Sequence, residues 1–184
     1  MYEHLAAFLG GPPTQFHFQL YENWAKHDWG IIITGNVQVS SSHLSLGRDL
    51  VVPEMLSHDS VLPFKQLAYV MRSRKDSADS DRALAIMQLN HSGRQSSNFI
   101  GGRFPFQPPL APSAISVSTN TDSLVPNLIN KLLFQTPHAM TLKDIDNVVA
   151  EFVKGALLAL QAGFDGVELH VAHGCRSVHV PCEL

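Results

Sequence analysis

The amino-acid sequence predicts an α/β fold built on a parallel sheet, and three observations support this fold class. Helical patterns alternate with short apolar strands three times along the chain. The apolar runs at residues 30–34 and 83–89 show no strict alternation of polar and apolar residues, which is typical of parallel strands covered on both faces. Gly163 separates the last helical pattern from the last strand, as in the αβ half of a βαβ unit. Right-handed crossovers between neighbouring strands are therefore expected.

The first two helix–strand pairs follow the same order along the chain. Residues 14–27 are expected to form a helix that packs inward through Phe16, Leu20 and Trp24, with the strand at residues 30–34 after it. Residues 59–72 are expected to form the second helix, followed by a polar linker at residues 75–81 and the strand at residues 83–89. The inward residues expected on this second helix are Phe64, Leu67, Ala68 and Met71.

The third helix has the clearest pattern and defined ends. Thr141 is placed to cap its N-terminus, Asp144 stands three residues later as in a capping box, and Gly163 is expected to end it. Residues 166–170 follow as the last strand. The apolar residues expected on one inward face are Ile145, Val148, Val149, Phe152, Val153, Ala156, Leu157 and Leu160.

A long segment between Asn90 and Met140 is rich in Gly, Pro, Ser and Asn. A connection of this length inside a compact domain is unusual and often covers or shapes a functional site. A surface excursion without such a role explains the composition equally well, and the sequence leaves both interpretations open.

Composition excludes several classes of function. The 184 residues include 45% hydrophobic and 16% charged residues, with a formal net charge of −3, which is typical of a soluble folded domain. The slight acidity and the lack of a Lys/Arg block argue against a nucleic-acid or anionic-membrane partner. No segment has the features of a membrane span or a signal peptide. We therefore expect a cytoplasmic protein with no membrane and no nucleic acid among its partners.

Polar residues follow each of the three predicted strands. Asn36 comes after the first strand, Gln88, Asn90 and His91 end the second, and Glu168 and His170 end the third, with His173 three residues later. Ligands bind at the carboxyl ends of the strands in parallel α/β folds. Any one of these residues taken alone is more simply explained as a turn residue that satisfies local backbone groups. Their recurrence at three strand ends predicts a ligand site.

His170 and His173 have three possible roles. Two imidazoles at this spacing can donate hydrogen bonds to one oxygen atom and stabilise negative charge on it, which we rank first. They can also be structural histidines, which we rank second. A zinc site is ranked third because the spacing matches no standard ligand pattern, although Glu168, Cys175, His179 and Cys182 stand nearby in the sequence. The sequence contains no glycine-rich phosphate loop and no nucleophile elbow.

Several segments resemble the NADH:flavin oxidoreductase, or Old Yellow Enzyme, family. Residues 29–39 (WGIIITGNVQV) resemble its second barrel strand, and residues 88–95 (QLNHSGRQ) resemble its Q-L-x-H-x-G-R motif on the third strand. Residues 111–115 (APSAI) resemble a segment of its long third loop. Residues 140–152 and 162–174 resemble its fourth helix and strand. The motifs occur in the family's order, and the resemblance runs from about residue 13 to residue 174.

The resemblance implies a fold, cofactors and roles for the four site residues. The fold is a partial (β/α)₈ TIM barrel, roughly strands two to four with their helices and a long third βα loop. The family binds FMN, reduces it with NADH or NADPH, and passes hydride to an activated C=C bond. Gln88 would hydrogen-bond the flavin pyrimidine edge, and Asn36 would approach it through its backbone. His170 and His173 would hold the carbonyl oxygen of an α,β-unsaturated substrate.

The sequence also departs from the family pattern. A full barrel needs roughly 250 residues, so we expect a partial FMN-binding domain at residues 1–174 and a divergent tail at residues 175–184. The family continues after Gly174 with a tyrosine proton donor, whereas this chain has Cys175. The expected function is an incomplete oxidoreductase, and the alternative is a non-catalytic remnant or pseudoenzyme. Open sheet edges predict self-association in either case.

Overall fold

A four-stranded parallel sheet with helices forms the centre of the computed structural model, which describes residues 3–72, 82–117 and 124–171. The helices are α1 (Gln15–Ala25), α2 (His58–Arg72), α3 (Leu124–Leu133) and α4 (Leu142–Ala162), and the strands are β1 (Ile31–Gln38), β2 (Leu50–Val51), β3 (Leu84–Asn90), β4 (Leu110–Ala111), β5 (His138–Ala139) and β6 (Gly166–Leu169). The sheet order is β2–β1–β3–β6, with every pair parallel. The predicted α/β class is confirmed. The predicted linker at 75–81 and tail at 175–184 lie outside the described residues.

β1 contains a bulge that carries the strand past its predicted end. Ile33 and Asn36 pair with β3 residues that are only two positions apart, so Thr34 and Gly35 together lie opposite one β3 residue. The Thr34 hydroxyl accepts a hydrogen bond from the Gln88 N–H at 3.0 Å. The predicted strand ended at Thr34 because the apolar run ends there. The pairing instead continues through polar residues to the end of β1.

The bulge sets which β1 residues face the helices. Ile32 and Val37 are both buried, although they are five positions apart and would point to opposite faces of a regular strand. They join Ala85, Met87 and Leu89 of β3 in a core of buried residues packed with the helices. The one extra residue therefore places the apolar Val37 on the covered face and its polar neighbours on the other face.

The face of the sheet opposite the helices is apolar near the amino ends of β1 and β3. Ile31, Ile33 and Leu84 are exposed by 56%, 40% and 44%, and Ile31 pairs directly with Leu84. These side chains share one face, which no described helix covers, and polar residues follow them along the same face.

The predicted inward face of α1 is wrong, whereas that of α2 is confirmed. Phe16 is 62% exposed, and Leu20 and Trp24 are only partly buried. The buried residues of α1 lie one position further along, and they are His17, Tyr21 and Ala25. The buried residues of α2 are Val61, Phe64, Leu67, Ala68 and Met71.

Hydrogen bonds explain why polar residues of α1 face inward. The Tyr21 hydroxyl donates to the Glu3 carboxylate, and its oxygen accepts the Gly35 N–H at 2.8 Å. Glu3 accepts the same N–H at 3.0 Å. The Nδ1 atom of His17 accepts the Thr14 N–H at 3.1 Å. Hydrophobic periodicity cannot detect a helix face whose polar atoms are satisfied internally.

The ends of α4 match the prediction, but its buried face does not. Asp144 and Thr141 form the capping box, and Gly163 ends the helix with φ of 81°. The buried residues are Gly155, Leu158, Ala159 and Ala162. Five of the eight residues predicted on the inward face are exposed, namely Ile145, Val149, Val153, Leu157 and Leu160. Phe152 and Ala156 are partly buried against the core.

Small residues explain which face of α4 meets the sheet. A Cβ atom on Gly155 would lie 2.9 Å from a Leu89 methyl group and 3.4 Å from one of Val39. Glycine therefore permits a close approach of the helix to β3 that a larger side chain would oppose. The larger apolar residues form a second, exposed stripe of α4, and Val167 and Leu169 of β6 are also exposed. No helix in the described parts of the chain has the length and hydrophobicity needed to cross a membrane.

The predicted long segment contains short elements of its own, a 3₁₀ turn at Gly93–Gln95, the β4–β5 pair and α3. His43, which follows β1, accepts the Leu110 N–H at 3.0 Å and stacks on His91 with ring centroids 4.5 Å apart. Arg103 donates to the Ser42 carbonyl at 3.1 Å. These contacts fasten the segment to the carboxyl ends of β1 and β3. Whether it covers a site, as one interpretation holds, stays a prediction.

Two adjacent leucines test the buried face of α4. Leu158 is fully buried and Leu157 is 47% exposed. We expect Leu158→Ala to lower the free energy of unfolding by about 2–5 kcal/mol because it leaves a cavity. Leu157→Ala should lower it by less than about 1 kcal/mol. Urea unfolding followed by circular dichroism measures both values, and equal losses would contradict the assignment of the buried face.

Three buried histidines predict that the chain loses stability as the pH falls. Burial lowers the pKa of His17 and His91 from 6.5 to about 4. Burial, together with the neighbouring His91 and Arg103, lowers the pKa of His43 to about 2. Between pH 6.5 and pH 4 the unfolded chain therefore binds more protons than the folded chain. The free energy of unfolding should fall with decreasing pH by about 1.4 kcal/mol per pH unit for each fully titrating histidine.

His91→Asn isolates one of these contributions, because an asparagine carbonyl can replace Nδ1 as the acceptor of the Gly93 N–H. We expect the pH slope of the free energy of unfolding between pH 4.5 and 6 to fall by about 1 kcal/mol per pH unit. The matched control is His58→Asn, whose side chain is 82% exposed in the native chain. Other titrating groups are common to the variants and cancel. A slope in His91→Asn equal to that of the unmodified chain would contradict the prediction.

Candidate functional site

Polar side chains form two rows across the open face at the carboxyl ends of the strands. Asn36 pairs with Gln88 across β1 and β3, and Gln88 pairs with Glu168 across β3 and β6. Side chains at paired positions of neighbouring strands point to the same face. These three residues form the lower row. The structure therefore brings together two predicted site residues, Asn36 and Gln88, on adjacent strands.

The upper row lies two positions further along each strand. Gln38 pairs with Asn90, and His170 follows the last pair of β3 and β6, with its N–H donating to the Leu89 carbonyl at 2.9 Å. Asn90 and His170 are therefore neighbours in register. His170 is 8% exposed. His173, its predicted partner, lies outside the described residues, so their joint action stays a prediction.

Several polar atoms of these rows are buried without a hydrogen-bond partner. They include the Oε1 atom of Gln88 and both amide atoms of Asn36. A buried polar group without a partner costs about 1–3 kcal/mol, so natural proteins keep such atoms where a ligand or water completes them. The acceptor on Gln88 fits the N–H of a ring imide, which is the group that the flavin pyrimidine edge presents.

The side chain of Asn36 also contacts a small cavity beside the segment before α1. The cavity has a volume of about 10 Å³, and Glu3, His17, Arg48 and other residues also line it. This volume is close to that of a single water probe. The side-chain amide of Asn36 thus faces the segment before α1, which leaves its predicted approach to a flavin through the backbone as a prediction.

The larger clefts of the described residues lie elsewhere. One of about 390 Å³ is formed around α3, and one of about 310 Å³ lies between the segment before α1 and the start of α2. Neither is lined by Asn36, Gln88 or His170. Asn36, Gln88 and His170 therefore lie outside both of these clefts.

The possible zinc ligands fall only partly within the described residues. No group of three or more His, Cys, Asp or Glu side chains gathers at a metal-binding distance within the described ranges. Of the possible zinc ligands, only Glu168 and His170 lie in those ranges. The Oε2 atom of Glu168 is buried without a hydrogen-bond partner. Residues 173, 175, 179 and 182 lie outside the described chain.

His91 follows Gln88 and Asn90 at the end of β3, and its contacts indicate a structural role. It is 1% exposed, and its Nδ1 atom accepts the Gly93 N–H at 3.2 Å. Because burial lowers its pKa to about 4, it is neutral at physiological pH. It supports the long loop beside His43 and does not face the open sheet.

Sequence reasoning placed Asn90 at a strand end but missed Gln38 and Asp49. The exposed fractions of Gln38, Asn90 and the loop residue Asp49 are 0%, 0% and 5%, and hydrogen bonds join the three residues. The signal that could have found Gln38 is a polar–x–polar pattern that occurs at the end of all three strands. It is read as Asn36-x-Gln38, Gln88-x-Asn90 and Glu168-x-His170.

Known proteins share both sequence and fold with the chain. The sequence profile of the NADH:flavin oxidoreductase / NADH oxidase family matches residues 7–175. The chain is 36% identical over 162 residues to an NADH-dependent flavin oxidoreductase, iliE, of Neonectria sp. (strain DH2), which covers 88% of this chain and 20% of that protein. It is 30% identical over 165 residues to an NADH oxidase of Thermoanaerobacter brockii, covering 89% of this chain and 21% of that protein.

An NADPH dehydrogenase of Listeria monocytogenes serotype 4b (strain CLIP80459) is 29% identical over 164 residues, which are 89% of this chain and 40% of that protein. The chain thus spans between 20% and 40% of the length of these relatives. The names of the relatives include both NADH-dependent and NADPH-dependent enzymes. The predicted cofactors, a flavin with NADH or NADPH, are therefore those of the matched family.

Two solved structures agree with the predicted partial barrel. The Old Yellow Enzyme homologue from Zymomonas mobilis has a TM-score of 0.70 at 22% identity, covering 95% of this chain and 43% of that one. Morphinone reductase in complex with tetrahydroNAD has a TM-score of 0.66 at 22% identity, covering 89% and 42%. At this identity they establish the fold, in which the described strands form part of a barrel. The sequence match over residues 7–175 shows that the chain belongs to the NADH:flavin oxidoreductase / NADH oxidase family.

Proposed function

We propose that this chain forms part of the FMN and substrate site of an NAD(P)H-dependent oxidoreductase that reduces activated C=C bonds. The observation that carries the proposal is the Oε1 atom of Gln88, an acceptor that is buried without a partner on the open face. It lies between Asn36 and Glu168 in a polar row at the carboxyl ends of the strands. Ligands of parallel α/β folds bind at this end of the sheet.

The residues present fit the pyrimidine edge of FMN. Gln88 Oε1 would accept the imide N–H, and the backbone near Asn36 would approach the same edge. The apolar residues below this row offer a surface for a flat ring. Bound FMN supplies the hydride carrier between the nicotinamide and the substrate.

His170 would act on the substrate. It stands at the exit of β6, in register with Asn90 of β3. A ring N–H of His170, together with one of His173, would donate a hydrogen bond to the carbonyl oxygen of an α,β-unsaturated substrate. Such donors stabilise negative charge that develops on the oxygen as the β-carbon accepts hydride.

A non-catalytic role is the second candidate. The exposed apolar residues of the open face and of α4 favour association with another chain, and Leu160 of α4 is 73% exposed. A parallel sheet edge such as β6 also presents unpaired backbone groups. In this case the polar rows would contact another chain and would not bind a flavin.

Titration with FMN tests the proposal. We expect Gln88→Met to weaken FMN binding about three- to tenfold, because it removes one hydrogen bond worth about 0.5–1.5 kcal/mol and keeps a similar volume. The quenching of flavin fluorescence measures the Kd. The matched control is Gln161→Met on the exposed side of α4, which should leave the Kd unchanged.

Two outcomes would contradict the proposal. The first is equal FMN affinity in Gln88→Met and in the unmodified chain. The second is no measurable binding of FMN up to millimolar concentration, which would favour the non-catalytic candidate.

A further inference from the structure

A chain of buried hydrogen bonds runs from the loop before β2 to the end of β3. The Nε2 atom of Gln38 donates to Asp49 Oδ1 at 3.3 Å, and the Nδ2 atom of Asn90 donates to Gln38 Oε1 at 3.2 Å. The Ser45 hydroxyl also donates to Asp49 Oδ1. All four side chains are at least nine-tenths buried. We call Asp49, Gln38 and Asn90 the amide relay.

Asp49 fixes the direction of the relay. Its carboxylate only accepts hydrogen bonds, and its Oδ2 atom accepts the N–H groups of Gly47 at 3.1 Å and Leu46 at 3.3 Å. Gln38 must therefore turn its NH₂ group toward Asp49 and its oxygen toward Asn90. Asn90 must in turn present its NH₂ group to Gln38. The relay thus has one orientation, set by the acidic end.

The relay ends in an acceptor without a partner. Because Asn90 Nδ2 points toward Gln38 on β1, the Oδ1 atom on the other side of the amide points toward β6. This Oδ1 atom is buried and has no hydrogen-bond partner. On β6, the neighbour of Asn90 in register is His170. The structure therefore holds a fixed acceptor beside the residue to which we assign the substrate oxygen.

We infer that Asn90 Oδ1 selects substrates that carry an N–H donor beside their carbonyl group, so that unsaturated amides and imides are preferred over ketones and esters. This inference rests on the proposed function, since it takes His170 as the donor to the substrate oxygen. An amide or imide presents its oxygen and its N–H side by side. Neighbouring strands lie about 4.8 Å apart, a spacing over which one such group can reach both residues through hydrogen bonds of about 2.9 Å.

Asn90 touches the substrate in this arrangement, and Gln38 and Asp49 are positioning residues. Asp49 can only accept a hydrogen bond, so Gln38 must direct its NH₂ group toward Asp49 and its oxygen toward Asn90. This orientation keeps the Oδ1 atom of Asn90 facing β6. Without the carboxylate, both amides could rotate, and Asn90 would present oxygen or NH₂ with similar ease. The relay therefore distinguishes a donor-bearing substrate from one that offers only acceptors.

A matched pair of probes tests the inference. Succinimide carries the imide N–H, N-methylsuccinimide lacks it, and neither has a C=C bond that could react with thiols. Protein-observed NMR titrations of the full chain, without flavin, give the Kd of each. We expect the ratio of the Kd for N-methylsuccinimide to the Kd for succinimide to fall about three- to tenfold in Asn90→Leu.

Two further variants separate recognition from structure. Asn90→Asp keeps an acceptor of the same size but loses the NH₂ group that donates to Gln38, so it should retain part of the N–H preference that Asn90→Leu loses. Asp49→Asn should reduce the preference without contacting the probe, because it releases the orientation of the relay. A structural role alone would change the affinity for both probes equally in all variants and leave the ratio unchanged.

Gln88→Met serves as the control for the second acceptor on β3, and it should leave the ratio as in the unmodified chain. An unchanged ratio in Asn90→Leu, an equal fall in Gln88→Met, or no binding of succinimide to the unmodified chain would overturn the inference. The FMN titration is independent of these measurements. Its failure would overturn the proposed function, whereas failure of the imide ratio alone would overturn only the role of Asn90.

Discussion

The bulge in β1 is the constraint on which the rest of this structure depends. Side chains of a regular strand alternate between faces, so one additional residue reverses every position that follows it. The extra residue at Thr34 and Gly35 places Val37 in the core and turns Asn36 and Gln38 to the open face. Without it, the two polar residues would lie under the helices and both polar rows would lack their β1 members.

Three hydrogen bonds hold this bulge in place. The Thr34 hydroxyl satisfies the Gln88 N–H across the sheet, while Tyr21 of α1 and the Glu3 carboxylate satisfy the Gly35 N–H from the other side. The burial of Tyr21 in place of the more hydrophobic Phe16, Leu20 and Trp24 follows from these hydrogen bonds. The orientation of α1 is thus coupled to the position of the site residues on β1. A single backbone irregularity links the helix layer to the ligand face.

Sequence reasoning succeeded where one local signal decided the outcome. The caps of α4 and the inward face of α2 depend on residue types at fixed spacings, and both are confirmed. The inward faces of α1 and α4 were wrong because polar pairing selected Tyr21 and close approach selected Gly155, neither of which hydrophobicity reports. Gln88 and His170 could be found from the strand ends. Asn90 stands at the same strand end as Gln88, but its orientation could not be predicted, since hydrogen bonds that begin at Asp49 in a separate loop set it.

The long sequence separation of the strand contacts has a consequence for folding. The bond from Gln88 to Thr34 joins residues 54 positions apart, and the bond from Ala85 to Asp165 joins residues 80 positions apart. Closing such loops costs entropy before any contact repays it, so chains of this topology fold slowly compared with helical bundles. The capped helix α4 can form from local contacts alone, whereas β3 is paired on both edges only after β1 and β6 have reached it. During that interval the apolar strands are exposed, which makes the nascent chain dependent on protection from aggregation.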